Sequence, residues 1–187
     1  MFGFGKKKDP QEIQRSLDIR LCELAGTGNT HVKRLLAAGA NVHANNDDAL
    51  CQAVEYGNYN GPYGFCGDIY HPASMMTVKV LLEAGANVHA RSDYALCSAV
   101  RGGHTELVQV LAKHIFTPDS WRGKSRAAIE AAANALYDKI KAQNPQPDRL
   151  RTAGVILIDC AMQCWEQVRP PPPKLQISPL PAQARPL

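Results

Sequence analysis

Three cysteines recur in one setting, as Leu21-Cys22, Leu50-Cys51 and Leu96-Cys97. Thiolates bind zinc, pair as disulfides or act as nucleophiles. Recurrence at equivalent places argues against metal binding and against pairing. Equivalent residues on neighbouring packed helices lie about 8–10 Å apart. A zinc thiolate needs a bond near ~2.3 Å, and a disulfide needs Cα atoms within about 7 Å. Cys22, Cys51 and Cys97 are therefore expected to be small buried core residues. Cys160 and Cys164 stand four residues apart on one helix and supply at most half of a metal site. No Cys-x-x-Cys or His-x-x-x-His offers the other half, and Cys66 and His71 meet them only by coincidence of folding. No metal and no cofactor is expected.

Signatures of catalysis are equally thin. No phosphate loop, dinucleotide fingerprint or nucleophile elbow occurs, and "GTGNT" at 26–30 falls in a turn between helices rather than after a strand. A catalytic histidine needs a nucleophile or a carboxylate pair beside it, and the spacing supplies neither. The chain is expected not to be an enzyme, with no catalytic residue.

The elements that position these residues follow from an internal repeat: "LLAAGANVHANNDDALCQAV" at 35–54 returns as "LLEAGANVHARSDYALCSAV" at 81–100. Six residues after each repeated Cys comes a glycine: Gly28, Gly57 and Gly103. Glycine adopts the left-handed conformation that closes a helix. Second helices follow in each unit, with Val32, Leu35 and Leu36, then Val78, Leu81 and Leu82, then Val108 and Leu111 at helical spacing. Gly39 and Gly85 close the first two.

A phrase "AGANVHA", a short polar stretch, then "ALCxAV" reads as an ankyrin repeat, and the chain resembles that family. The resemblance implies an all-α fold, a stack of helix pairs joined by hairpin fingers. The units here are about 30 residues against a usual ~33. Cysteine stands where the family has its histidine, and the Thr-Pro pair is absent. His43 and His89 fall at finger bases, and His104 in "GGHTE" matches a structural turn. Asp47, Asp48 and Asp93 fall at finger tips, where they are expected to be exposed.

Two stretches break the pattern. Twenty residues separate Gly57 from Val78, where four separate Gly103 from Val108. The excess, about 60–75, is rich in Gly, Pro and aromatic residues and reads as a loop. After His114 the linking phrase is missing. A turn at Thr117-Pro118-Asp119 leads to a helix from about Ser125, and a second starts near Asp148, an acceptable N-cap. Leu150, Ile158, Ala161, Trp165 and Val168 make one apolar face of the second helix. The expected organisation is a basic arm at 1–15, three ankyrin-like repeats at 16–115, a helical-hairpin cap or degenerate fourth repeat at 116–169, and a disordered Pro-rich tail at 170–187.

The net charge of +4 resides in the two ends, which carry +2 each, so residues 16–169 are neutral. A nucleic-acid binder carries its basic stripe on the folded body, so none is expected to bind. No apolar run approaches ~18–20 residues, and the start lacks a secretory pattern. Six cysteines without a disulfide framework suit a reducing, intracellular (cytoplasmic) location.

The resemblance implies a monomer that binds another protein along a concave face of tips and first helices. Carried over residue by residue, that face is Asn45, Asn46, Asp47, Asp48, Gln52, Glu55 and Tyr56, then Arg91, Ser92, Asp93, Tyr94, Ser98 and Arg101. The alternatives are a small-molecule or metal site formed by the 60–75 insertion, and self-assembly through the last helix.

Overall fold

The computed structural model describes residues 9–25, 31–59, 72–143 and 146–171. Among these, every regular element is helical: α1 (Pro10–Ala25), α2 (Val32–Ala37), α3 (Ala44–Tyr59), α4 (Pro72–Glu83), α5 (Ala90–Gly102), α6 (Thr105–Ile115), α7 (Pro118–Trp121), α8 (Arg126–Gln143) and α9 (Pro147–Val168). The chain is all-α, and none of these helices is long and apolar enough to cross a membrane.

Helices pair in chain order, α1 with α2, α3 with α4, α5 with α6 and α8 with α9. α1 also packs on α3 and α3 on α5, while α2 meets α4 and α4 meets α6. α8 continues beyond α5, and α9 packs against α6. The core runs between the two files and takes one Leu-Cys from each unit: Leu21, Leu50 and Leu96 with Cys22, Cys51 and Cys97, all buried. Alanines at Ala49, Ala53, Ala95 and Ala99 are buried too, and their small size lets neighbouring first helices approach closely.

The second helices of the first two units end alike. Gly39 and Gly85 take φ of +96° and +91°. The N–H of Ala40 then reaches the Leu35 carbonyl and that of Ala86 the Leu81 carbonyl, both at 3.0 Å. Gly103 closes α5 in the same manner, with the His104 N–H on the Ala99 carbonyl at 3.1 Å. This closure satisfies carbonyls that a helix end otherwise orphans.

Several expectations need correction. Gly57 does not end its helix, because α3 continues to Tyr59; Gly28 lies outside the described residues. The first helix begins at Pro10, so residues 10–15 belong to it rather than to an arm. Proline suits this first position, where its missing N–H has no partner to lose. The insertion is shorter than 60–75. Pro72 starts α4, and Ser74 and Met75 are buried in its first turn; residues 60–71 lie outside the described residues, with Cys66 and His71 among them. Among the described residues no hairpin fingers form between units. In their place the chain turns through three successive left-handed residues, Asn45-Asn46-Asp47 in one unit and Arg91-Ser92-Asp93 in the next.

The terminal hairpin forms, with Ile129, Leu136 and Ile140 of α8 and Leu150, Leu157 and Ala161 of α9 all buried. Gly154 allows a close approach there, since a Cβ would lie 3.0 Å from the Tyr137 ring, which would have to give by a few tenths of an ångström. Pro147 opens α9, so Asp148 sits in the first turn rather than at the cap. Ile158 does not join the buried face. It and Val155 point outward, 52 % and 65 % exposed. Residues 172–187 lie outside the described residues.

Candidate partner-binding face

An aspartate stands three residues before each Leu-Cys: Asp18, Asp47 and Asp93. Asp18 Oδ1 accepts the Asn41 N–H at 2.7 Å. Asp47 Oδ1 accepts the Asn87 N–H, also at 2.7 Å. Each carboxylate thus holds the main chain where the next unit begins. Within the linking phrase the geometry repeats as well. Asn41 and Asn87 accept the N–H of His43 and His89 at 3.0 Å through their side-chain oxygens. His43 Nδ1 lies 3.0 Å from Asp47 Oδ1, and His89 Nδ1 lies 2.5 Å from Asp93 Oδ1.

The third unit has no following linking phrase, so no Asn N–H is offered to Asp93. Lys139 of α8 takes that place, its Nζ 2.9 Å from Asp93 Oδ2. The hydrogen bond and charge of Asp93 push the Lys139 ammonium above its ordinary 10.5. A charged donor suits the site, because Asp93 is 1 % exposed and a buried carboxylate must be paired.

These contacts sort the thirteen residues expected to form the face. Asp47, at 4 % exposure, Asp93 and Ser98 are buried and present nothing to a partner. The left-handed turn rolls both carboxylates under the junction instead of lifting them on a finger. Asn45, Asn46, Arg91, Ser92 and Arg101 are exposed, while Asp48, Gln52, Glu55 and Tyr94 are half-buried. The Tyr56 side chain lies outside the described residues.

The face is also braced from unit to unit. Arg91 Nη2 contacts Asp48 Oδ1 at 2.7 Å and donates to the Asn45 carbonyl at 3.0 Å. The Tyr94 hydroxyl donates to Glu55. Burial, and then that carboxylate, push the Tyr94 phenol up to about 12. The sequence carries a signal for these acids: an Asp three residues before Leu-Cys in all three units.

The cysteines are free thiols with no disulfide among the described residues. Burial pushes Cys22, Cys51 and Cys97 up to about 11, assisted at Cys22 by Asp48. Cys160 and Cys164 are also raised by burial. A thiol so far above neutrality is a poor nucleophile and a poor metal ligand. Among the described residues no group of three or more His, Cys, Asp or Glu side chains is arranged to hold a metal.

Compared with known proteins, the chain matches no protein-family model, no curated protein and no solved structure.

Proposed function

We propose that the chain is a short ankyrin-like repeat stack that binds another protein, without catalysis, through the face formed by its left-handed turns and the exposed side of α3 and α5. The observation that carries this reading is the matched display of Asn45-Asn46 and Arg91-Ser92. Two successive units expose side chains at the same places, on turns tied down by Asp47 and Asp93. A surface fixed before binding loses little freedom on binding, and this raises affinity without added area. Tyr94 and Arg101 are residue types that dominate interface energetics. The pairing of α8–α9 with α5 and α6 supports its reading as a fourth, degenerate unit.

The test is affinity capture with the full chain against an Arg101→Ala/Gln52→Ala variant. The expected result is a specific partner that the variant loses while its melting temperature is unchanged. Equal capture by both proteins would exclude this face. Exposure of Val155 and Ile158 on α9 supports a second reading, self-association, which light scattering across a concentration series separates from a monomeric binder.

A further inference from the structure

Superposing the units in sequence sets Arg20 against Ala49 and Ala95, Leu24 against Ala53 and Ala99, and His31 against Thr77 and Leu107. Every one of these residues in the second and third units is buried. In the first unit Arg20 and His31 are exposed and Leu24 is half-buried. The positions that change are those which a preceding helix pair covers: α1 covers α3, and α3 covers α5. The same residues of the first unit line an open groove of about 490 Å³ between α1 and α2, with Glu23, Arg34 and Leu35. The groove is therefore the counterpart of the surface on which the later units dock a preceding helix pair, and no helix among the described residues covers it.

Its chemistry differs from the inner junctions. Leu24 and Leu35 form an apolar floor that is partly exposed and packed on the core beneath. Arg20 and Arg34 stand above it, and neither has an ion pair among the described residues. Glu23 is the single acid in the lining. We infer that this end groove docks an acidic amphipathic helix of a partner protein, with apolar residues seated on Leu24 and Leu35 and carboxylates on Arg20 and Arg34. In helix-in-groove recognition the bound helix seats anchors at i, i+3/i+4 and i+7. The two arginines select acidic flanks, since charge placement at an interface rim sets which partner is accepted. The site is separate from the α3–α5 face.

The experiment uses the full chain and two labelled peptides of about 16 residues, long enough to form a helix on binding. One carries Leu at helical spacing with Glu beside each; the other has every Glu replaced by Lys. Fluorescence anisotropy should show binding of the Glu peptide that is weakened about tenfold or more in the Arg20→Glu/Arg34→Glu variant. The Lys peptide should bind that variant and not the parent. An Arg20→Gln/Arg34→Gln variant should fall between the two, and Arg101→Ala should bind the Glu peptide like the parent. Because both arginines are exposed, the variants should melt with the parent. No binding by the parent, or binding that charge reversal leaves unchanged, would overturn the inference and leave a polar end face only.

Discussion

The buried aspartates make a quantitative claim about how the units are joined. Asp47→Ala removes the acceptor of the Asn87 N–H, which lies in a part-buried setting. A stranded donor of this kind costs about 1–3 kcal/mol. The same substitution puts alanine at φ +54°, a left-handed conformation that costs roughly 1–2 kcal/mol where no short polar side chain, such as that of Asn or Asp, bonds locally to support it. Release of a buried carboxylate offsets part of this loss, which leaves a net destabilisation of about 3 kcal/mol. Asp47→Asn keeps the shape and the tolerance for a left-handed backbone but exchanges a charge-assisted bond for a neutral one, at about 1 kcal/mol. Asp18→Ala removes the acceptor of the Asn41 N–H, but that bond is exposed. Water replaces it, and the loss should stay near ~1 kcal/mol. Urea unfolding followed by circular dichroism should rank the three Asp47→Ala first by a clear margin. In a domain of this size the first should lower the melting temperature by roughly 6–12 °C. Equal losses for Asp47→Ala and Asp18→Ala, or a loss under about 0.5 kcal/mol for the former, would refute the role given to the buried acceptor.

Three other outcomes are expected. Ser92→Gly relieves a left-handed φ of +58° and should stabilise by about 0.5–1 kcal/mol, whereas Asn46→Gly should be nearly neutral; thermal melts compare them. Under reducing conditions stability should fall as pH rises from 9.0 towards about 11, because the folded chain keeps Cys22, Cys51 and Cys97 protonated where the unfolded chain releases them. Lys139, held above 10.5, adds to the same decline, and thiol reagents near pH 8 should modify the five buried cysteines only after unfolding. Truncation after Ile115 should abolish cooperative unfolding, since it uncovers Val100 and Val108, which face Ala153 and Ile156 of α9. Each large side chain uncovered forfeits roughly 1.5–3 kcal/mol, against a total stability of about 5–15. A soluble truncated chain melting like the full one would show that the terminal hairpin folds apart from the rest.

Helix placement was legible from residues that repeat for packing reasons. Leu-Cys marked the buried side of each first helix, and Gly39, Gly85 and Gly103 marked helix ends that need a positive φ. The terminal helices were legible through runs such as Ala127–Ala135 and through the helix-breaking "NPQP". The junctions were not. Asn, Ser and Asp in short succession favour both an exposed hairpin tip and a left-handed turn, and composition does not choose between them. The choice is made by a partner forty residues away, the Asn87 N–H that holds Asp47 inside. The start of α4 is not legible for a local reason: Pro72 follows a Gly- and Pro-rich stretch, and proline ends a loop as readily as it opens a helix. Ile158 turns outward because Leu157 beside it takes the buried position, a rotation of one residue that apolar content alone does not fix.

A link made from a side-chain carboxylate to a main-chain N–H ignores which side chains stand on the other partner. Asp18 and Asp47 meet Asn41 and Asn87 with the same 2.7 Å bond although the turns they enter read Asn-Asn and Arg-Ser. Such a coupling is interchangeable, like a thread of standard pitch. The number of middle units then becomes a quantity that duplication can change without rewriting either neighbour, while the surface letters at the turns drift freely. At the far end the coupling changes kind: Lys139 meets the last Asp, and a lengthened chain keeps its terminator as long as that pair stays together.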